Sequence, residues 1–196
     1  MAKKKATSSS PARSLVATSE TPKPRPVRQA WKFCPRCGVA AAKTGKNPFH
    51  CEACGHTHFF GPVSAVGAIT TDSEGRVLFL IRAKDPGKGK YGLPGGFVDA
   101  GETAEDALHR EVFEEIRLKI KAMSYLCSFP NEYVYQGFIL PVTDMFFVME
   151  VETFDAIESG DGEIHGWHFC HPGRKELKNM AFESNRRAME LFLKSR

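Results

Sequence analysis

The sequence predicts an α/β protein, a mixed sheet held between helical layers, with a small cysteine-stapled module in front of it. Three observations carry that expectation. Apolar runs rich in β-branched residues are interspersed with stretches of helical periodicity. Turn chemistry joins two of those runs as a hairpin, and no strict strand-helix-strand repeat appears. Four of the six cysteines fall into two close pairs ahead of the first apolar run. A chain of 196 residues suffices for one domain with a real core and one small attachment.

Residues 1–30 carry seven Lys or Arg against the single acid Glu20. Their Ser, Pro, Lys and Ala content offers too little apolar surface to offset the entropy of ordering, so the segment reads as a disordered basic tail. It is either a solubilising extension or an organelle transit peptide; the missing apolar h-region excludes a secretory signal. The whole chain is +4 and the tail +6, which leaves −2 for the remainder and argues against a dedicated nucleic-acid domain. No apolar run approaches the length of a membrane span, so no membrane partner is expected. Cysteine usage points to a reducing compartment, the cytoplasm unless the tail directs the chain to an organelle. Cys127 and Cys170 stand alone in apolar runs, as small buried thiols do.

Residues 31–60 hold "FCPRCG" and "HCEACG", which place Cys34, Cys37, Cys51 and Cys54 in two C-x-x-C-G knuckles. That spacing turns two thiolates to one face, with glycine accepting the backbone geometry behind the second sulfur. Four sulfurs close a tetrahedral site, and the expectation is a zinc ribbon with a structural Zn²⁺, an iron site being the alternative. His50, His56 and His58 read as surface or packing residues.

The main domain is expected over residues 61–196. "PVSAVGAITT" and "RVLFLIRA", joined by "DSEG", read as a hairpin. "KDPGKGKYGLPGG" is too rich in Gly, Pro and Lys for regular structure and is read as a loop. A helix follows from about Thr103 to Ile116, then a strand around "AMSYLCSF", a long apolar strand in "TDMFFVMEVE" and a further strand in "GEIHGWHFC". Two helices, "GRKELKNM" and "ESNRRAMELFLKSR", end the chain. The second repeats Ala188, Leu191 and Phe192 on one face and serves as a cover.

Thr103 to Asp106 has the form of a capping box, which fixes the helix start. At roughly 100° per residue from Leu108, Ala104, Val112 and Ile116 define the buried arc, and Glu115 falls inside it at about −20°. Glu111 follows at about −60° and Glu114 at about −120°, whereas Arg110, at about +200°, projects to the opposite side. An inward carboxylate costs several kcal/mol in desolvation unless a positive group accompanies it. With Arg110 facing away, a divalent cation answers best. Hard oxygen ligands at i, i+3 and i+4 suit Mg²⁺ or Mn²⁺.

The stretch from Gly96 to Leu118 resembles the Nudix box, G-x5-E-x7-R-E-U-x-E-E-x-G-U with U aliphatic. Gly96, Glu102, Arg110-Glu111, Val112, Glu114-Glu115 and Leu118 match, and Arg117 stands where the family has glycine. The resemblance implies a Nudix-type α/β/α sandwich and hydrolysis of a nucleoside diphosphate linked to another group, of the NADH or NAD, ADP-ribose or dinucleoside polyphosphate type. It implies Glu111 and Glu115 as principal metal ligands, Glu114 as a further ligand or base, and a Glu102–Arg110 ion pair holding the loop on the helix. A ribbon ahead of such a domain is similar to the NADH pyrophosphatase branch. The downstream segment "CSFPNEYVYQG" shares only Phe129-Pro130 with that branch's S-Q-P-W-P-F-P-x-S run.

Glu163 is a candidate for one more acid at the metal. Gly96, Arg82, Tyr91, Lys90 and Tyr135 are the candidate substrate contacts, with Lys84, Lys88 and Lys90 reaching phosphates as point charges and Tyr133 or Tyr135 stacking on a base. The expected partner is a nucleotide, with an RNA 5′ end and a homodimer as further options. Two other functions remain in view: nucleic-acid binding or RNA-end processing through ribbon and tail, and a nucleotide sensor without turnover. The full set of acids argues against the sensor.

Overall fold

The computed structural model describes residues 23–160 and 162–196, so most of the expected tail lies outside the described residues. Where the description begins, Arg25–Pro26 form a short strand, β1, followed by a 3-10 turn at Val27–Gln29. β1 runs parallel to Phe138 and Ile139, and the Arg25 guanidinium lies over the Phe138 ring. Residues 23–30 therefore belong to the folded part, which corrects the tail's expected boundary and places Lys23, Arg25 and Arg28 on the protein surface.

The cysteine module is built on a two-stranded antiparallel ladder, β2 (Phe49–His50) and β3 (Thr57–His58). Each knuckle closes on its glycine: Gly38 N–H donates to the Cys34 carbonyl and Gly55 N–H to that of Cys51, both at 2.9 Å. The two glycines have φ of 74° and 72°, a left-handed conformation that a side chain would disfavour. Among the described residues the buried core of this module is Cys34, Phe49 and Cys51, with Trp31, Ala41, Cys54 and Phe60 packed against it.

The apolar runs of the main domain become β4 (Val63–Ile69) and β5 (Val77–Arg82). The turn between them forms as expected, with the Asp72 carboxylate accepting from the backbone of Glu74 and Arg76. Beyond one bridge, Thr71 to Val77, the strands part and join different sheets, so the expected hairpin is a turn only. The reason is competition for the edge of β4. Residues 94–98 run along it, with Val66 N–H donating to Gly96 O and Ala68 N–H to Pro94 O, and they occupy the place a hairpin partner needs. β5 instead lies between β6 (Tyr91–Gly92) and β9 (Ile164–Cys170), antiparallel to both.

The first helix, α1 (Ala104–Ile116), leads into the longest strands, β7 (Ile120–Tyr135) and β8 (Phe138–Val151). These form one antiparallel hairpin turned at Gln136-Gly137, both at positive φ (47° and 80°) as a tight two-residue turn requires. β7 thus runs well past the expected "AMSYLCSF". Among the described residues it is an edge strand that pairs on one side only, where Pro130 is tolerated. β8 continues parallel to β4, which makes the sheet mixed.

Alternation sorts the side chains into two layers. Leu78 and Leu80 of β5 and Phe147 and Met149 of β8 meet Leu108, Val112 and Ile116 of α1. Their neighbours Val77, Phe79 and Phe146 meet Ala188, Met189 and Phe192 of the last helix, α3 (Glu183–Lys194), which follows the short α2 (Arg174–Lys178). The result is the expected α/β/α arrangement. No helix among the described residues is long and apolar enough to cross a membrane.

Candidate functional site

The site is organised by the way α1 begins and by what lies against its first turns. Thr103 caps the helix, its hydroxyl accepting from the Asp106 N–H at 3.1 Å. From that start Glu115 is carried into the buried face and is only 7% exposed. The 94–98 segment lies across this face. Gly95 N–H donates to Glu115 Oε2 at 2.9 Å, and Gly96 approaches Glu111 so closely that an added Cβ would lie 2.5 Å from its carboxylate. Gly95 itself has φ of 138° and no space for a side chain against Val66 O, so it is required by backbone contact, whereas at Gly96 only the Glu111 carboxylate stands in the way.

Arg110 reverses one expectation. The wheel sends its Cβ to the far side, yet the long arm folds back and its guanidinium reaches the acids. Nε and Nη2 meet Glu102 Oε1 and Oε2 at 2.7 and 2.9 Å, Nη1 meets Glu111 Oε1 at 2.8 Å, and Nη2 also donates to Phe97 O. Wheel angles fix the root of a side chain, and an arginine head group is free to lie elsewhere. The bidentate bond from Arg110, aided by the Asp99 N–H, holds the Glu102 carboxyl at about 2 and raises Arg110 in return. Glu111 moves the other way: burial raises it, and the Arg110 contact opposes that only in part. A basic partner therefore exists for Glu111, which corrects the expectation that Arg110 faces away from the acids. The ion pairs of Arg110 are with Asp99, Glu102, Glu111 and Glu114.

At its far end α1 leaves through Arg117, in the left-handed region at φ 60°, ψ 14°, where the Nudix pattern has glycine. The following loop sews onto this end. Glu158 N–H donates to Ile116 O and Gly160 N–H to Glu115 O, so that Gly160 sits where a Cβ would strike Glu114 O at 1.7 Å. The same loop delivers Glu163 opposite α1, where it pairs with Lys84 at 2.9 Å.

A cavity of about 200 Å³ opens between these elements. Its lining includes Glu111, Glu115, Glu163, Gly95, Gly96 and Arg82, together with Asp144, Asn131, Asn185, Tyr133, Phe97 and Phe182, the Arg82 guanidinium lying over the Phe182 ring. The carboxylates of Glu111, Glu115 and Glu163 present hard oxygen donors to one space, which suits Mg²⁺ or Mn²⁺. Glu114 lies outside the cavity lining, half-exposed and 3.4 Å from Arg110. Three other expected contacts are also outside it. Tyr91 packs on Phe79 and His168, Lys90 is exposed on the Gly-rich loop, and Tyr135 stands at the exposed tip of the β7–β8 hairpin. Tyr133, two residues earlier on the same strand face, is the tyrosine that reaches the cavity. Asp144, Asn131, Asn185 and Phe182 were not foreseen; an acid inside the apolar run "TDMFFVM" was the available signal.

The four cysteines form a second candidate centre. Their sulfurs lie within 4.8 Å of one another, with Cys34–Cys54 and Cys37–Cys51 at 3.7 Å. A tetrahedron with Zn–S of about 2.3 Å has S···S of about 3.8 Å, which those two contacts match, so the set suits zinc. The nearby histidines pack: His58 stacks on Trp31 at 4.4 Å, and His50 bonds Thr57.

Residues 61–192 match the family model of the NUDIX domain. The NAD-capped RNA hydrolase NudC of Chromobacterium violaceum is 32% identical over 69% of this chain and 49% of its own length; that of Haemophilus influenzae (strain PittGG) is 34% identical over 64% and 50%. The chain spans about half the length of these curated relatives. Among solved structures, a NUDIX hydrolase from Nitrosomonas europaea superposes with a TM-score of 0.60 at 24% identity, covering 84% of this chain and 92% of that one. The NUDIX domain of Shewanella oneidensis NrtR, solved with ADP ribose, gives 0.57 at 20% identity over 70% and 90%. These two likenesses concern the fold.

Proposed function

The chain belongs to the NUDIX family, and from that premise we propose that it is a metal-dependent hydrolase cleaving the pyrophosphate bond of a nucleoside diphosphate linked to another group. The observation that carries this reading is the pair Glu111 and Glu115, from successive turns of α1, opening into one cavity beside the Gly95-Gly96 backbone. The likeness to NAD-capped RNA hydrolases supports NAD-type dinucleotides as the substrate class. The cavity is below the roughly 300–1,000 Å³ that encloses a drug-sized ligand whole, so a dinucleotide would extend beyond it.

In this reading Glu111 and Glu115 hold Mg²⁺ or Mn²⁺, and Glu163 is a third oxygen donor or the proton acceptor. The cation supplies Lewis-acid charge to the phosphoryl oxygens and water activation. Arg110 ties Glu111 to the loop through Glu102 and Phe97 O, so hydrogen bonds link the acid on the helix to the segment that carries the glycines. Gly95 N–H holds Glu115 turned inward. Lys84, 2.9 Å from Glu163 Oε1, holds that carboxylate at the cavity. The ribbon of residues 31–60, with a structural Zn²⁺ on Cys34, Cys37, Cys51 and Cys54, precedes a catalytic domain over 61–196.

A second reading, an RNA 5′ end as substrate, is favoured by the charge distribution. Residues 23–60 hold seven Lys or Arg against Glu52 alone, while 61–196 hold 16 Lys or Arg against 21 Asp or Glu. Phe33 and Phe59, 64% and 71% exposed, stand among those cations as stacking surfaces. The test for both is a panel of NADH, ADP-ribose, diadenosine polyphosphates and NAD-capped RNA, with and without Mg²⁺ or Mn²⁺, products identified. Metal-dependent release of a nucleoside monophosphate supports the hydrolase; no cleavage of any member contradicts it. A steep salt dependence confined to the capped RNA supports the second reading.

A further inference from the structure

Asp144 and its neighbours in the cavity lining suit a different task from the acids of α1, and we propose that they form a slot in which Asp144 reads the exocyclic amine of a nucleobase. This rests on the nucleotide-hydrolase reading above and names the feature of the substrate that the site selects. Asp144 lies on β8, is 7% exposed and lines the cavity. None of the ion pairs among the described residues includes it. Its strand neighbours on the same face, Val142 and Phe146, are apolar, so packing alone would have placed an apolar residue there too.

Hydrogen bonding keeps this carboxylate in place. The Ser184 hydroxyl, in the first turn of α3, donates a short bond to Oδ2, and the Asn131 side chain donates as well. Burial raises the Asp144 carboxyl, and these two donors oppose that rise. A carboxylate has about four lone-pair sites, so two donors leave acceptor capacity for a group entering the cavity. Asn131 and Asn185 flank it in the lining with amides able to donate or accept. Aromatic walls complete the slot: Tyr133 stands edge-on to Phe97 at 5.3 Å and 5.8 Å from Phe182. A flat heterocycle stacks on such rings and turns one edge toward Asp144. An amine on that edge is a donor to the carboxylate, whereas a carbonyl there sets two acceptors against each other.

The test uses the zinc-loaded full chain and calorimetric titration with ADP and IDP, which differ at the amine-bearing edge, and with CDP and UDP as the pyrimidine pair. The expected result is binding of ADP at least about tenfold tighter than IDP, as for a hydrogen bond to a charged acceptor. Asp144→Asn should bring that ratio to within about threefold, with thermal unfolding reporting whether the variant is folded. Asn185→Ala, which leaves Asp144 in place, should weaken ADP while retaining part of the preference. Equal affinities of the wild type for ADP and IDP overturn the proposal whatever the variants do, and so does an unchanged ratio in folded Asp144→Asn. A clear ADP preference without cleavage of any pyrophosphate substrate would sink the hydrolase reading alone. Cleavage of ADP-ribose and its hypoxanthine counterpart at equal kcat/KM, with equal ADP and IDP affinities, would sink the slot alone.

Discussion

Gly95 and Gly96 are neighbours that should respond to the same substitution in opposite ways. In Gly96→Ala the new Cβ would stand 2.5 to 2.6 Å from the carboxyl carbon and both oxygens of Glu111, where ordinary contact begins at 3.4 Å. The carboxylate must retreat by about 0.9 Å, the difference between those distances. Because the obstacle is the end of a flexible side chain, folding should cost no more than about 1 kcal/mol. A displacement of that size at a proposed metal ligand is expected to lower turnover about 100-fold, with Mn²⁺ affinity falling alongside. In Gly95→Ala the Cβ would meet Val66 O at 2.2 Å and Gly67 Cα at 2.9 Å, backbone that cannot step aside, at φ 138°. That variant should lose about 3 kcal/mol or more of stability. Urea unfolding and Mn²⁺ titration of both proteins read the contrast. Gly96→Ala with wild-type metal affinity and turnover, or Gly95→Ala as stable as wild type, would refute the contact reasoning.

Three further outcomes are expected. Arg117→Gly should raise the unfolding free energy by up to about 1 kcal/mol, because the left-handed cap no longer carries a side chain; lower stability would show that the arginine's contact with the Phe113 ring outweighs the strain. The Glu102 carboxyl is held at about 2 against an ordinary 4.5, so its ion pair stabilises the fold above about 4.5 and is lost as pH falls toward about 2. The gap in urea midpoint between wild type and Glu102→Gln should close across that window, and a gap constant with pH contradicts the pairing. Removing zinc with a chelator should melt the ribbon, whose buried core is three residues, while the main domain unfolds in its own later transition. A metal-free preparation with an intact ribbon, by near-ultraviolet dichroism of Trp31, would count against a zinc site.

Much of the fold was legible because its signals are local. The Thr103 cap and the spacing of Leu108, Val112 and Ile116 set the register of α1, and that register is what turns Glu115 inward. The knuckle glycines announced the sulfur cluster in the same way. What was not legible is decided at a distance. β4 and β5 carry hairpin chemistry, but the 94–98 segment takes the edge of β4, and no local pattern says so. The Arg110 head group was misplaced because a wheel describes the backbone and not a long arm. Tyr135 and Tyr133 share a strand face, and only the length of the β7–β8 hairpin decides which of them reaches the cavity. Asp144 was the missed opportunity, since a lone acid in an apolar strand is as informative as one on the buried face of a helix.

Glu115 is where helix register, burial and the proposed metal chemistry meet, and Glu115→Gln isolates its charge while keeping an oxygen for the Gly95 N–H. The decisive measurement is Mg²⁺-dependent hydrolysis of ADP-ribose by this variant beside its thermal unfolding. A folded protein with at least a ~1,000-fold loss of turnover is expected if Glu115 binds the metal that stabilises the reacting phosphate. Wild-type turnover in the folded variant would contradict that assignment.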